Sequence, residues 1–552
     1  MEYLLDIYGF GAVLLDAAGD AARAALAGGA AVLALIAAPR GAARPEGALL
    51  LALARRWTLR GAVATLVVTL AAAALQAVVL AGTLGRPVGD SLGAAPVQAS
   101  GAMLGAALVL AALAAPRAAP PGWRRAALGA AALALLAAAA AGSHAVARPE
   151  GRGLLFLATL AHQAGAALWL GGLPPLLDAL RRLEPAPARQ VGRAYSRQAA
   201  AGAGLVLLGV VGFWDGYLGE PEALYGTAYG AMAMTKAAML ALLLALGGAN
   251  FLLLHRADDA AGRRLPLVRR FVECEIALGL AVFAAAASIT SLPPAVDLRE
   301  DRLTLAEIVE RFTPRAPRLV GPDHATLAIS ALQARLEEEA RRTPAARAPA
   351  GYVPGAGEPP PRNAQNVAWS EYNHNWSGLL VLLVGLAALL DASRRIPLAR
   401  HWPLVFLGLA GFILVRSDPE VWPLGPIDLI TALRDPEVVQ HKLAGLLVAA
   451  FALSEWGVRL GRLRNMGARF VFPLAMVAGG VLLLAHSHAI ADRKEALLVE
   501  LSHLPLAVLA VAGGCARWTE LRGPEALARP ARWIWPACLI LVGTILTFYR
   551  ES

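Results

Sequence analysis

Stretches of about twenty apolar residues, built mostly from Ala, Leu, Val and Gly, return from one end of this chain to the other. Each is long enough to cross the hydrocarbon core of a bilayer as a helix, since about 20 residues rising roughly 1.5 Å each span about 30 Å. That repetition excludes an ordinary soluble globular protein. Only 16% of the 552 residues are charged, against 57% apolar, where soluble chains carry about 25% charge. The sequence therefore reads as an all-α, polytopic helical membrane protein.

Fourteen spans are expected. Eight fall near 10–38, 58–82, 98–115, 123–144, 153–178, 198–218, 228–254 and 269–291, and six more near 375–391, 402–416, 441–459, 470–490, 497–515 and 533–549. Residues 1–295 thus form an eight-helix membrane module and 374–552 a six-helix, His-rich one. Between them, 296–373 is an external segment: 303–312 and 325–342 have helical periodicity, while 343–363 is rich in Ala, Pro and Gly and reads as linker.

Loop charge orients the chain. The loops at 39–57, 116–125, 179–197, 256–270, 392–401, 459–469 and 516–532 together hold 28 Lys and Arg, whereas the alternating short loops hold 6. Short cytoplasmic loops carry the basic excess, so both termini and residues 292–373 are expected outside a bacterial cytoplasmic (inner) membrane. No basic segment precedes the first apolar run, so a cleaved signal peptide is not expected.

Several functions are excluded. The 50 basic residues against 40 acidic ones are spread along the chain rather than gathered in a patch, which argues against nucleic acid. Cys274, Cys515 and Cys538 form no CxxC, so neither a disulfide framework nor a thiolate metal motif is indicated. There is no GxxxxGK[ST], no aspartyl-phosphorylation segment and no nucleophile–base constellation. An enzyme is therefore not expected, and no catalytic residues are assigned.

The histidines are the informative residues. His255 and His401 sit at cytoplasmic ends and His324 lies in the external segment, but His144, His162, His374, His441, His486, His488 and His503 all map to the outer end or outer third of a span. Polar side chains inside a membrane are costly and usually mark a pathway or site, and imidazole suits copper, zinc, iron and nickel. His374, His441, His503 and one of His486 and His488 are expected to face a common cavity. The last two point about 200° apart on a regular helix and cannot both do so. Glu371 and Asp492 are candidate supporting carboxylates. Glu455 lies roughly 21 Å deeper than His441 by the helical rise, as an inner relay or as an interface carboxylate near Arg459. In the first module, Asp16, Asp20 and Arg23 share one stripe of the first span. Lys236 lies about two turns into the seventh, where an internal partner is expected.

The stretch Ala141–Ala145 with Leu160–Leu173, which holds His144, His162, Trp169 and the pair Gly171 and Gly172, resembles the membrane domain of the copper resistance D (CopD) family. Tyr195, Ser196 and Arg197 resemble its next segment. Leu224–Gly230 with Lys236, then Asn250, Arg269–Glu273 and Pro293–Pro294, follow in the family's order. The resemblance implies an eight-helix inner-membrane domain taking part in copper uptake or tolerance, often beside a periplasmic copper-binding partner. It makes His144 and His162 the family-like histidines, with Trp169, Lys236 and Glu273 as further pattern positions. Copper transport or homeostasis, with external histidines capturing the ion, is the leading expectation. The alternatives are a membrane oxidoreductase holding b-type haem between histidines and a metal-handing chaperone or assembly factor.

Overall fold

In the computed structural model the described residues are 8–41, 45–85, 87–148, 151–256, 264–300, 302–328, 363–485 and 494–551, with single positions 334 and 338. They form fourteen helices long and apolar enough to cross a membrane. These are α1 Gly11–Arg40, α2 Pro45–Thr83, α3 Ala95–Ala114, α4 Gly122–Ala141, α5 Arg152–Arg182, α6 Pro185–Leu218, α7 Ala228–His255, α8 Leu265–Asp297, α9 Ala364–Ala392, α10 Pro397–Arg416, α11 Glu437–Arg459, α12 Gly467–Leu484, α13 Leu497–Arg522 and α14 Glu525–Thr547. The protein is an all-α polytopic membrane protein, and the count agrees with the hydropathy reading.

The boundaries differ for a physical reason. α2 and α6 begin about thirteen residues earlier than their apolar stretches, because helical hydrogen bonding continues into polar, Arg-bearing turns. There arginine lays its methylenes along the bilayer and its head in water, and a hydropathy window reports only the apolar part. Alternating helices give the molecule two ends. One, the His face, carries the starts of α9, α11 and α13. The other, the Arg face, carries the basic loops.

Three cores hold the helices. In the first half Leu26, Leu50, Leu110, Leu128, Leu180 and Val268 pack together. In the second, Phe406, Phe451 and Phe472 meet edge to face beside Trp402 and Trp535. The third lies along the seam where α7 and α8 meet α12 and α13: Met232, Met239, Leu278 and Ala285 pack with Leu484, Leu504, Ala507 and Val511. The Ser288 hydroxyl donates to the Leu484 carbonyl across it.

A polar strap crosses the His face. Thr304 and Glu307 form a capping box that starts a short helix, Leu305–Phe312, and Lys494 pairs with Glu307 at 3.0 Å. Arg318 N–H donates to Asn375 at 2.6 Å and the Trp376 indole to the Leu319 carbonyl at 3.1 Å. The Arg550 guanidinium donates to the carbonyls of Glu310 and Thr313. The expected helix over 303–312 is thus present and tied down. The one over 325–342 and the linker at 343–363 fall almost wholly outside the described residues.

Candidate functional site

The site begins with how closely α9 and α14 approach. A Cβ on Gly378 would come within 2.2 Å of the Thr547 nitrogen, and one on Gly543 within 2.3 Å of the Leu382 nitrogen. Only glycine permits that distance, and it sets the polar start of α9 against the end of α14. Asn375, buried, then donates to the carbonyls of Leu546 and Tyr549. One turn from Gly378, His374 stacks on Tyr549 with ring centroids 4.0 Å apart.

From α13, His503 meets His374 edge to face at 5.4 Å and lies 5.7 Å from the Tyr549 ring. His374 Nδ1 lies 2.9 Å from the Ser370 carbonyl oxygen and His503 Nδ1 lies 2.8 Å from that of Val499. A carbonyl can only accept, so both Nδ1 atoms carry the proton, and in the neutral rings the acceptor nitrogen is Nε2. That is the tautomer a metal-ligating histidine needs, fixed by the hydrogen bond of its other nitrogen.

His441, near the start of α11, adds a third imidazole within electrostatic reach of His374. Its Nδ1 is 2.6 Å from an Asp418 carboxylate oxygen. The buried Asp418 also takes Lys442 at 2.6 Å and the Ser417 hydroxyl at 2.9 Å. Burial alone would raise the Asp418 carboxyl, but the hydrogen bonds and charges of His441 and Lys442 hold it below its ordinary value. Glu420, in the same loop, is pushed up to about 7 by burial and then by Asp418, Glu437 and Asp435. Asp435 is raised by burial and by the same neighbours. The loop before α11 is an acidic rim beside the imidazoles.

Glu371 is near His374 in sequence but serves the strap. Its buried carboxylate accepts from Arg318 at 3.1 Å and from the Glu551 N–H at 3.0 Å. His486, His488 and Asp492 lie outside the described residues. Among those described, no group of three or more His, Cys, Asp or Glu side chains is arranged to hold a metal ion. His374 and His503 come together, with His441 and its carboxylate alongside.

In the first half, His162 on α5 lies against α6: its Nδ1 is 3.2 Å from the Val206 carbonyl, and its ring is tilted 5.5 Å from Phe213. A Cβ on Gly209 would come within 2.6 Å of the His162 Cβ, so glycine again makes the room. Lys236 lies within electrostatic reach of both His162 and Asp20. Asp20 pairs with Arg23 at 2.6 Å, and Asp16 interacts with both. Of the acidic stripe of α1, Asp20 is the carboxylate within electrostatic reach of Lys236. His144 begins a short helix capped by the Ser143 hydroxyl; its side chain is outside the described residues.

The two remaining carboxylates sit toward the Arg face. Glu455, fully buried, pairs with Arg459 at 2.7 Å and Arg517 at 2.6 Å. Glu273 takes Arg181 and Arg270 at 2.6 Å each, and the Trp518 indole N–H at 2.6 Å from across the seam. A neighbouring network went unremarked in the sequence: Glu275 accepts from Asn250 at 2.6 Å and from the Trp169 indole at 3.3 Å. A carboxylate in the middle of an apolar run is the signal that would have marked it.

Most of α6 to α8, with Lys236, Asn250, Glu273 and Glu275, falls in one stretch that is similar to known proteins. Residues 189–289 match the copper resistance protein D family. The resemblance read from the sequence holds over this window, while His144, His162 and the six-span half lie beyond it. The copper transport protein CutJ of Bacillus subtilis (strain 168) is 30% identical over 165 residues, a stretch that is 29% of this chain and 29% of that relative. No solved structure matches the chain.

Proposed function

We propose that this protein transports copper across the bacterial cytoplasmic membrane, or holds copper in balance there, taking the ion at the His face. The observation that carries the reading is the His374–His503 pair. Two rings 5.4 Å apart each direct Nδ1 to a backbone carbonyl, with a third imidazole, held by Asp418, within electrostatic reach of His374, in a chain whose window 189–289 matches a copper resistance family. The acidic rim of Asp418, Glu420 and Asp435 raises the local concentration of cations. The line His162, Lys236 and Asp20 in the first half supplies intramembrane polar groups along which an ion or a compensating proton moves.

A small ion suits this geometry better than haem. A b-type haem needs its two imidazoles opposed across a macrocycle, whereas these rings meet edge to face and Tyr549 covers one side of His374. The reading is of a transporter rather than an enzyme, with a periplasmic copper-binding protein as donor. The 28 to 6 distribution of basic residues between alternate loops favours the His face and both termini outside.

The test is copper accumulation in cells carrying the full chain. His374→Ala with His503→Ala should abolish the copper flux or tolerance that the parent confers, and His255→Ala, toward the Arg face, should leave it intact. A membrane-impermeant thiol reagent should modify a Cys placed at Arg315 but not one placed at Gln190, both exposed positions. Unchanged flux in the double variant would overturn the capture site, and reversed labelling would overturn the orientation.

A further inference from the structure

The three cysteines are free thiols, and two of them meet. Cys274 on α8 and Cys515 on α13 are 241 residues apart in sequence and adjacent at the seam between the two halves. Cys274 Sγ lies 3.7 Å from the Cys515 carbonyl oxygen, and Cys515 Sγ lies 4.0 Å from that of Cys274. This reciprocal arrangement brings each thiol within hydrogen-bonding reach of the other. The Thr519 hydroxyl is 3.5 Å from Cys274 Sγ. Cys538 is elsewhere, on α14 against Gly513.

Buried thiols often behave as small apolar side chains, but the surroundings of this pair are not apolar. Arg270, one turn from Cys274 on α8, and Arg181, from the end of α5, each bind Glu273 at 2.6 Å, and Arg522, about two turns from Cys515 on α13, approaches it at 3.6 Å. Three guanidinium charges thus converge on a single carboxylate. The same faces supply the thiols: Arg270, Glu273 and Cys274 follow at helical spacing on α8, as do Cys515, Trp518, Thr519 and Arg522 on α13.

We infer that Cys274 and Cys515 form a two-thiolate site for a soft monovalent cation, Cu(I), inside the membrane at the joint between the halves. Soft thiolate ligands select Cu(I), and two of them complete a linear site, whereas zinc takes four ligands. Binding exchanges protons for metal with no change of oxidation state: two S–H bonds break, two S–Cu bonds form, and two protons leave. The product carries one negative charge, which the three arginines around Glu273 offset. The occupied site ties α8 to α13, so it also clamps the two halves together. None of this depends on the imidazoles of the His face, and sulfur and nitrogen ligation are distinguishable in one spectrum.

The experiment loads the purified full chain anaerobically with one equivalent of Cu(I), in the presence of a Cu(I) chelator that strips weak sites, and records X-ray absorption at the copper edge. The parent should show a Cu–S shell. Cys274→Ser and Cys515→Ser should each lose it, and Cys538→Ser should keep it. On the unaltered protein, Cu(I) should protect two of the three thiols from alkylation, as counted by mass spectrometry. A copper spectrum with nitrogen or oxygen neighbours only, a sulfur shell that survives both serine changes, or alkylation unaffected by Cu(I) would each overturn the site.

Discussion

Glu273→Gln isolates what the seam cluster contributes. The amide keeps the size of the side chain and one acceptor for the Trp518 indole, but it removes the charge that Arg181 and Arg270 share. The Arg181 side chain is 41% exposed, so solvent screens that pair to below about 1 kcal/mol. The Arg270 side chain is 16% exposed, against 4% for Glu273, and a hydrogen bond to a charged group in such a setting contributes about 1.5–3 kcal/mol. The new amide N–H groups also face guanidinium instead of accepting from it. The summed loss is about 2–4 kcal/mol, and it falls toward the lower end because the unfolded chain in a membrane also finds partners. Reversible unfolding in mixed detergent micelles, followed by tryptophan fluorescence, measures it. Glu525→Gln is the control: the Glu525–Arg529 side chains are 68% and 75% exposed, and that pair should matter by no more than about 0.5 kcal/mol. If Glu273→Gln costs no more than the control, the cluster does not stabilise the fold.

Other expectations concern the acidic rim. Asp418→Asn removes the carboxylate that orients His441, and copper taken at the His face should weaken by about tenfold to a hundredfold, read by chelator competition. The Asp418 carboxyl is held below its ordinary value, so its contribution to stability is complete above about pH 4 and disappears as pH falls through the lowered folded value. Thermal unfolding of the parent, but not of Asp418→Asn, should show that acid-side loss. Glu420 has the opposite sign. Its folded value is raised to about 7, so ionising it costs stability as pH rises from the unfolded value toward and past 7. Glu420→Gln should therefore be more stable than the parent at pH 8, with the gain gone near pH 4. A constant difference across that range would contradict the burial of this carboxyl.

The spans and their number were legible because bilayer thickness dictates a run of about twenty apolar residues, and nothing in the fold competes with that rule. The ends of α2 and α6 were not, since helix continues where hydropathy stops. Placing His374 and His503 on one face needed only the alternation of loops. Seeing them touch needed the α9–α14 approach that Gly378 and Gly543 allow, which joins residues some 165 positions apart. Asp418 lies 23 positions before His441, and no local spacing marks it as that residue's partner. Tyr549, the final residue of the span read near 533–549, carried no signal until the end of α14 was set beside α9. Glu371 is near His374 in sequence, but its hydrogen bond to Arg318 of the strap spans 53 positions and had no local signal. The meeting of Cys274 and Cys515 depends on how the halves dock, which no spacing within either half encodes.

The most direct test of copper capture at the His face is electron paramagnetic resonance of the purified protein loaded with one equivalent of Cu(II), in the parent and in His374→Ala with His503→Ala. Imidazole ligation splits the copper signal through its nitrogens, and a thiolate pair at the seam does not. The parent should show nitrogen splitting that the double variant loses along with the bound copper. The same splitting and the same copper per chain in both proteins would contradict the account.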